Sequence, residues 1–305
     1  MLKKIFLTGS NGLLGQKIIP LLASRAHVQL IAIGKGVDRY PVPGGYQYED
    51  ADLQDHRRLE DLFELYRPTH VIHSAAMTQV DACETEREQC VQVNVGATQK
   101  IAELCARFNT HLVHISTDFI FDGEKGPYVE TDTPNPVNFY GQSKLDAELA
   151  IQASGARYAI LRTVLLYGIT PAMSRSNIVL WVKESLEKGK PINVVEDQFR
   201  SPTLAEDLAT AAVSALMREA QGVFHISGPE FMSILELAYS IADFWKLDKS
   251  LITPSRSEDI RQPAKRPPKT GFIILKAQTE LDYRPHTLNK GLELVDRQLR
   301  ELRGS

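Results

Sequence analysis

The sequence predicts an α/β protein built on a doubly wound parallel sheet, with a smaller C-terminal α/β lobe. Three observations carry that expectation. Short β-branched and aliphatic runs alternate with longer amphipathic segments through the first half of the chain, the pattern of βαβ units with right-handed crossovers. A glycine-rich turn, Gly9-Ser10-Asn11-Gly12-Leu13-Leu14-Gly15, separates the first apolar run from the first helical pattern. The alternation then loosens after Tyr167-Gly168, where a second lobe is expected to begin.

In chain order, Lys4–Thr8 reads as a strand, Leu13–Ser24 as a helix and Val28–Ile33 as a second strand. The Gly- and Pro-rich stretch Gly34–Tyr46 reads as loop. Asp55–Tyr66 is a helix stopped by Pro68, and His70–Ser74 is a strand. Glu86–Phe108 carries one long helical pattern, and Leu112–Ser116 is a strand. Asp122–Asn138 is loop, Tyr140–Ala153 a helix and Tyr158–Arg162 a strand. Beyond it come helix Asn177–Lys188, strand Ile192–Val195, helix Ala205–Met217, strand Val223–Ile226, helix Ile234–Phe244, a Pro-rich basic loop Arg261–Lys269 and a helix near Lys290–Leu302. This order suggests a dinucleotide-binding domain over 1–166, with 204–228 returning to it. The substrate-binding lobe is then 167–203 and 229–305.

The 305 residues carry 35 Lys and Arg against 38 Asp and Glu, a net charge of −3. A nucleic-acid binder would show a basic excess or stripe. No stretch reaches the roughly 20 continuous apolar residues of a membrane span. Met1-Leu2-Lys3-Lys4 is followed by only Ile5-Phe6-Leu7 before the polar turn, too short for the apolar region of a signal peptide. Cys83, Cys90 and Cys105 form no disulfide framework, so a reducing, cytoplasmic setting is expected.

The glycine turn is built for a dinucleotide. Gly9 permits the tight turn, Gly12 lets the backbone approach a pyrophosphate, and Gly15 lets the helix pack close to the sheet. The free N–H groups of the helix N-terminus then face the phosphates. Sites that take NAD place an Asp or Glu about 20 residues further on, against the ribose 2′-hydroxyl. Here that point reads Ala32-Ile33-Gly34-Lys35. Lys35 can meet a 2′-phosphate as a point charge, which favours NADPH with NADH as the alternative; Lys35 also reads as a solvated loop lysine.

Tyr140-Gly141-Gln142-Ser143-Lys144 places a Tyr and a Lys on one helix face. A tyrosine of pKa ~10 is a poor acid–base at neutral pH, and a neighbouring ammonium is expected to lower it. Such a Tyr can donate a proton to a carbonyl oxygen as hydride reaches carbon. Thr117 closes the preceding strand at its carboxyl end, where open α/β sheets bind ligands. From there it can hydrogen-bond both the carbonyl and the tyrosine.

The spacing G-x-x-G-x-x-G, with Thr117, Tyr140 and Lys144 as a triad, resembles the extended short-chain dehydrogenase/reductase superfamily. Ser116-Thr117-Asp118-Phe119-Ile120-Phe121-Asp122-Gly123, Ala75-Ala76-Met77-Thr78-Gln79-Val80-Asp81, Val93-Asn94 and Asp197-Gln198-Phe199-Arg200-Ser201-Pro202-Thr203 narrow this. Together they resemble the dTDP-4-dehydrorhamnose reductases over nearly the whole length. The resemblance implies a Rossmann sheet and reduction by NAD(P)H of the 4-keto group of a nucleotide-linked 6-deoxysugar. It implies a cofactor surface in which Asn11, Leu13 and Leu14 join the glycines, Asp52 and Leu53 lie beside the adenine, and Ser74, Ala75, Ala76, Thr78, Asn94 and Ser116 follow the cofactor towards Tyr140 and Lys144. Val80, Thr117, Asp118, Phe119, Gln198 and Arg200 would face the sugar nucleotide. The chain departs from that family at Phe119, commonly Tyr, at Leu165, commonly Trp, and at Arg200, usually Gly. A buried Arg200 would suit a diphosphate bidentately.

Other features read more plainly. His70 and His73, like His111 and His114, are three apart and point to opposite strand faces, so neither pair chelates a metal; no metal site is expected. Lys265–Lys269 reads as a solvated loop or a lid over a diphosphate. Cys83 and Cys90, seven apart, read as packing. Another nucleotide-sugar reductase or epimerase is an alternative on this frame. So is an NADP-binding regulatory subunit similar to that of methionine adenosyltransferase, working through a partner protein. A homodimer is compatible with all of these.

Overall fold

A computed structural model of the chain describes residues 2–42, 44–173, 175–260 and 262–304. β1 (Lys3–Thr8) runs into the glycine turn and α1 (Leu13–Ala23); β2 (Val28–Gly34) returns parallel to β1, with Leu7 opposite Ala32. β3 (Tyr46–Asp50) lies beyond β2. α2 (His56–Tyr66) starts on Asp55, whose carboxylate accepts from Arg58 N at 3.0 Å. It ends where Arg67 turns to φ 49°, just before Pro68. β4 (His70–His73) pairs with the other side of β1. α3 (Val80–Thr85), α4 (Arg87–Cys90), a π-turn at Val91–Gly96 and α5 (Ala97–Arg107) follow. β5 (His111–Thr117), α6 (Phe139–Ala153) and β6 (Arg157–Thr163) complete the first half.

The second half holds β7 (Leu166–Tyr167), α7 (Ile178–Glu187), β8 (Ile192–Val195), β9 (Phe199–Arg200) and β10 (Thr203–Leu204). α8 (Ala205–Met217), β11 (Gly222–Ile226), β12 (Met232–Ser233), α9 (Ile234–Trp245), β13 (Ile252–Ser255), α10 (Leu275–Glu280) and α11 (Leu288–Gly304) follow. Seven strands form one parallel sheet in the order β11-β6-β5-β4-β1-β2-β3. The order reverses between β1 and β4, the switch point at which such sheets open a crevice beyond their carboxyl ends.

Strand periodicity sorts the core. Ile5 and Leu7 face one layer with Ile18, Ile19 and Leu208 of α1 and α8, while Phe6 faces the other with Leu62, Phe63 and Ile101 of α2 and α5. A separate apolar cluster joins Val179 and Val182 of α7, Leu237 and Ile241 of α9 and Leu292 and Val295 of α11.

Two expectations change. Tyr46, read as the end of a loop, opens the edge strand β3 (Tyr46–Asp50). Its residues are half-buried or exposed, so the sequence there lacks the apolar run that marks β1 and β2. Ile192–Val195 is the short strand expected there, and it pairs with β13, outside the central sheet. The single helix expected over Glu86–Phe108 is broken by the π-turn at Val91–Gly96, an insertion that widens the helix and is frequent at functional sites. Of the basic loop, Arg261 lies outside the described residues.

Candidate active site

The glycine turn closes against the sheet as its residue types require. Gly9 has φ 73°, and a Cβ there would stand 2.7 Å from Ala75 N; a Cβ on Gly15 would stand 2.3 Å from Gly9 O. Gly12 caps α1 with no side-chain partner, and the helix carries no acidic residue in its first turn. The backbone N–H groups of Leu13 and Leu14 therefore open onto the crevice, while the Leu14 side chain is core. Ser10 Oγ is buried without a hydrogen-bond partner. A pyrophosphate suits this cradle: uncapped donors, a positive helix end and an unsatisfied hydroxyl.

Asn11 builds the adjoining wall. Its Nδ2 donates to Lys35 O (3.3 Å), Val37 O (3.0 Å) and Tyr48 Oη (3.0 Å), and its Oδ1 accepts from Arg39 N (2.9 Å). The β2–β3 loop, which carries Lys35 and Arg39, is thus pinned through its backbone to the glycine turn. Spacing alone did not single out Arg39. Lys35 Nζ pairs with Asp52 at 2.7 Å on the surface, and this contact raises the lysine's pKa and lowers that of Asp52. The two residues expected at opposite ends of the adenosine are therefore joined to each other. Leu53 beside them is half-buried.

Further along, Ser74 Oγ donates to Thr8 O at 2.7 Å, and Ala75 and Ala76 lie half-buried behind it. Thr78 is exposed and accepts from Arg175 Nη1 at 3.2 Å, a bridge from the loop after β7. Asn94, expected near the cofactor, is buried inside the π-turn. Its Oδ1 accepts from Met77 N (2.8 Å), and its Nδ2 donates to Met77 O (3.1 Å) and Ser143 Oγ (3.0 Å). It clamps the Ala76–Met77 backbone rather than facing the crevice. Ser116 also turns inward: its Oγ donates to Glu148 at 2.5 Å, and Glu148 is paired with Arg162 at 2.7 Å.

Thr117, Tyr140 and Lys144 come together at the carboxyl edge of β5. Asn138 caps α6 by accepting from Gly141 N at 2.8 Å. Gly141 lets that helix approach the turn after β5, for a Cβ there would stand 2.1 Å from Phe119 O. The Tyr140 ring meets Phe119 edge-on at 5.9 Å and packs with Cys83, Cys90 and Val80. Burial pushes the Tyr140 phenol up and the Asp118 carboxylate adds to this, while the Thr117 hydroxyl opposes it by hydrogen bonding. The lowering expected from Lys144 is not what sets the phenol, which burial dominates. Lys144 is itself buried, which brings its ammonium down to about 8. Its Nζ donates to Ile115 O at 2.8 Å and contacts His114 Nε2 at 3.0 Å.

Asp118 and Arg200 form the floor on the side of the second lobe. Burial raises the Asp118 carboxyl, and Arg200 opposes that. Thr270 Oγ1 donates to Asp118, and Arg200 Nε faces it at 3.8 Å. Arg200 Nη1 donates to Phe199 O (2.7 Å) and Pro268 O (3.1 Å), and its Nη2 to Pro267 O (2.7 Å) and Gln198 Oε1 (3.5 Å). Arg200 is buried, as a diphosphate contact would need, but every Nη donor is already taken. The bidentate contact expected of it gives way to a tie between the 198–203 and 265–270 segments. Gln198 Nε2 donates to Ser257 Oγ at 2.9 Å. The basic loop is neither loosely solvated nor free: Arg266 holds Asp81 through both oxygens at 2.6 Å, and Asn138 donates to Lys265 O at 2.8 Å. Lys265 and Lys269 remain exposed on it. No group of three or more metal-ligating side chains occurs among the described residues.

Comparison with known proteins places these features in context. The family model described as the RmlD substrate binding domain matches residues 3–300. The rat (Rattus norvegicus) methionine adenosyltransferase 2 subunit beta is 31% identical over 91% of this chain and 82% of its own. A probable low-salt glycan biosynthesis reductase of Haloferax volcanii is 30% identical over 95% of this chain and 96% of its own. Among solved structures, a dTDP-4-dehydrorhamnose reductase from Bacillus anthracis in complex with NADP superposes with a TM-score of 0.85 at 26% identity, covering 98% of this chain and all of that one.

Proposed function

The chain belongs to the RmlD substrate binding domain family, and on that footing we propose that it is an NADPH-dependent reductase of the 4-keto group of a nucleotide-linked 6-deoxyhexose, with dTDP-4-dehydrorhamnose as the first substrate to test. One observation carries the reading: Thr117, Tyr140 and Lys144 meet at one sheet edge, across the switch-point crevice from an uncapped glycine turn.

The residues divide the work as follows. Gly9, Gly12 and Gly15, with the N–H groups of Leu13 and Leu14, hold the pyrophosphate. Lys35 and Arg39 meet the adenosine 2′-phosphate, and Asp52 releases Lys35 to do so. Ala75, Ala76 and Thr78 line the cofactor's path, kept in place by Asn94. Bound NADPH supplies the hydride that adds to the keto carbon. Tyr140 donates its proton to the keto oxygen, giving a hydroxyl, and Thr117 hydrogen-bonds that oxygen. A phenol held neutral by burial is the form a proton donor requires. Lys144 holds the nicotinamide ribose. Val80, Phe119 and Gln198 face the sugar from α3, the turn after β5 and the second lobe. That lobe comprises 167–203 and 229–305, with α8 and β11 returning to the dinucleotide-binding half.

The test is loss of NADPH absorbance on nucleotide-linked 4-keto-6-deoxysugars. Tyr140→Phe should cut turnover by about a hundredfold or more and leave NADPH binding intact; retained turnover rules out this role for Tyr140. The likeness to methionine adenosyltransferase 2 subunit beta favours a second reading, an NADP-binding subunit that serves a partner enzyme. NADPH binding without turnover on any such sugar, together with stoichiometric recovery of an adenosyltransferase from native lysate, would favour it.

A further inference from the structure

His73 and His114 are placed by strand register. β4 and β5 pair His73 with His114, and their rings lie 5.2 Å apart, both fully buried. Periodicity sends the two histidines of one strand to opposite faces, yet register sets histidines of neighbouring strands side by side. His73 is satisfied at both nitrogens, at 2.7 Å from Thr8 Oγ1 and 2.9 Å from Thr98 Oγ1. His114 is not. Its Nε2 lies 3.0 Å from Lys144 Nζ, and its Nδ1 is buried without a partner.

An ammonium has three donors and no acceptor, so His114 Nε2 accepts and the ring proton sits on the orphaned Nδ1. Leucine would fill such a site without leaving a buried donor unpaired, which is costly. The imidazole is explained by what its other nitrogen does. With Ile115 O at 2.8 Å, it takes two of the three Lys144 donors on the sheet side, leaving one for the crevice.

We propose that His114 is a positioning residue that holds the Lys144 ammonium against β5 and keeps it charged within the active site. This rests on the reductase reading only for its consequence in turnover. The groups acting on Lys144 are Glu148 on its own helix and Cys90 on α4, both favouring the charge, and the His114 and His73 rings, both held neutral in part by Lys144. Burial opposes the charge and wins, at about 8. Removing the imidazole acceptor lowers that midpoint further.

The experiment is an NMR titration of the Lys144 side chain in the intact, cofactor-free protein. His114→Leu should move the midpoint down by about one pH unit, the scale of one hydrogen bond to a charged group. His114→Gln, which keeps an acceptor, should restore it. An unchanged midpoint in His114→Leu overturns the proposal, and so does a His114→Gln midpoint as low as that of the leucine variant. Wild-type protein gives a second reading that needs no variant to fold. Ring nitrogen shifts should report His114 as the neutral Nδ1–H tautomer, and an Nε2–H tautomer overturns the proposal. In the kinetic arm, the basic limb of the NADPH-oxidation profile should shift with the Lys144 midpoint. Titrations as expected with no turnover on any 4-keto sugar would count against the reductase reading while leaving the role of His114 standing.

Discussion

Glu148 and Arg162 meet beneath the site with neither side chain more than 5% exposed. Arg162 donates to both carboxylate oxygens, Ser116 adds a third donor, and the guanidinium stacks over Phe121. Replacing one member of such a pair strands the other as an uncompensated buried charge. Glu148→Leu should therefore cost about 3–5 kcal/mol, read as a fall in the chemical denaturation midpoint. Lys35 presents the opposite case. Its pair with Asp52 is on the surface and contributes little to folding. Lys35→Ala should leave stability unchanged and weaken NADPH binding about fivefold to tenfold, with NADH unaffected; equal loss for both cofactors would remove Lys35 from the 2′-phosphate site. At this scale the sequence was legible wherever chemistry follows from local spacing. Tyr140 and Lys144 share a helix face, and Gly9, Gly12 and Gly15 share one turn. It was not legible for Arg200, two of whose Nη donors are taken by carbonyls 67 and 68 residues away.

Elements bring these residues into register. The approach of α6 to the turn after β5 depends on Gly141, whose missing Cβ makes room for Phe119 O. Gly141→Ala forces helix and turn apart and moves Tyr140 away from Thr117. A loss of kcat of at least about tenfold is expected, since small misplacements of catalytic groups have large effects, with KM for NADPH little changed. The π-turn at Val91–Gly96 plays the same part on the other side, because it turns Asn94 inward onto Met77. Asn94→Ala leaves the Met77 N–H unpaired and its C=O with only the weak Cys83 Sγ–H donor, at about 1–3 kcal/mol for a group that stays buried, a loss that thermal unfolding would detect. The apolar periodicity of Glu86–Phe108 concealed this break, since one extra residue in a helix leaves the composition of its faces nearly unchanged. β3 was missed for a related reason: an edge strand needs no buried run. The interior strands β1, β2, β4, β5 and β6 were legible because burial on both faces demands one.

Taken whole, the molecule buries histidines in their neutral form. Burial brings His70 down to about 4 and His73 and His225 to about 3. The unfolded chain takes up these protons near pH 6.5. Between that pH and the folded values it binds more protons than the native state, so stability falls as pH falls. Each such group contributes up to about 1.4 kcal/mol per pH unit across its window. The urea midpoint should therefore drop between pH 7 and pH 5, before most carboxylates titrate; a flat midpoint over that range would show that these histidines are charged in the fold. The architecture follows from alternation and the glycine turn, but the closing of the crevice does not, because it depends on contacts between distant parts of the chain. Asp118 waits for Thr270, 152 residues on, and Asp81 for Arg266, 185 residues on. That has a bearing on biosynthesis. A chain leaving the ribosome from its N-terminus exposes the glycine turn and Tyr140 well before the segment that ties down their surroundings. Catalytic competence would then come late, only once the segment carrying Arg266 and Thr270 has emerged, and a chain stopped before it would carry the chemistry without the enclosure that directs it.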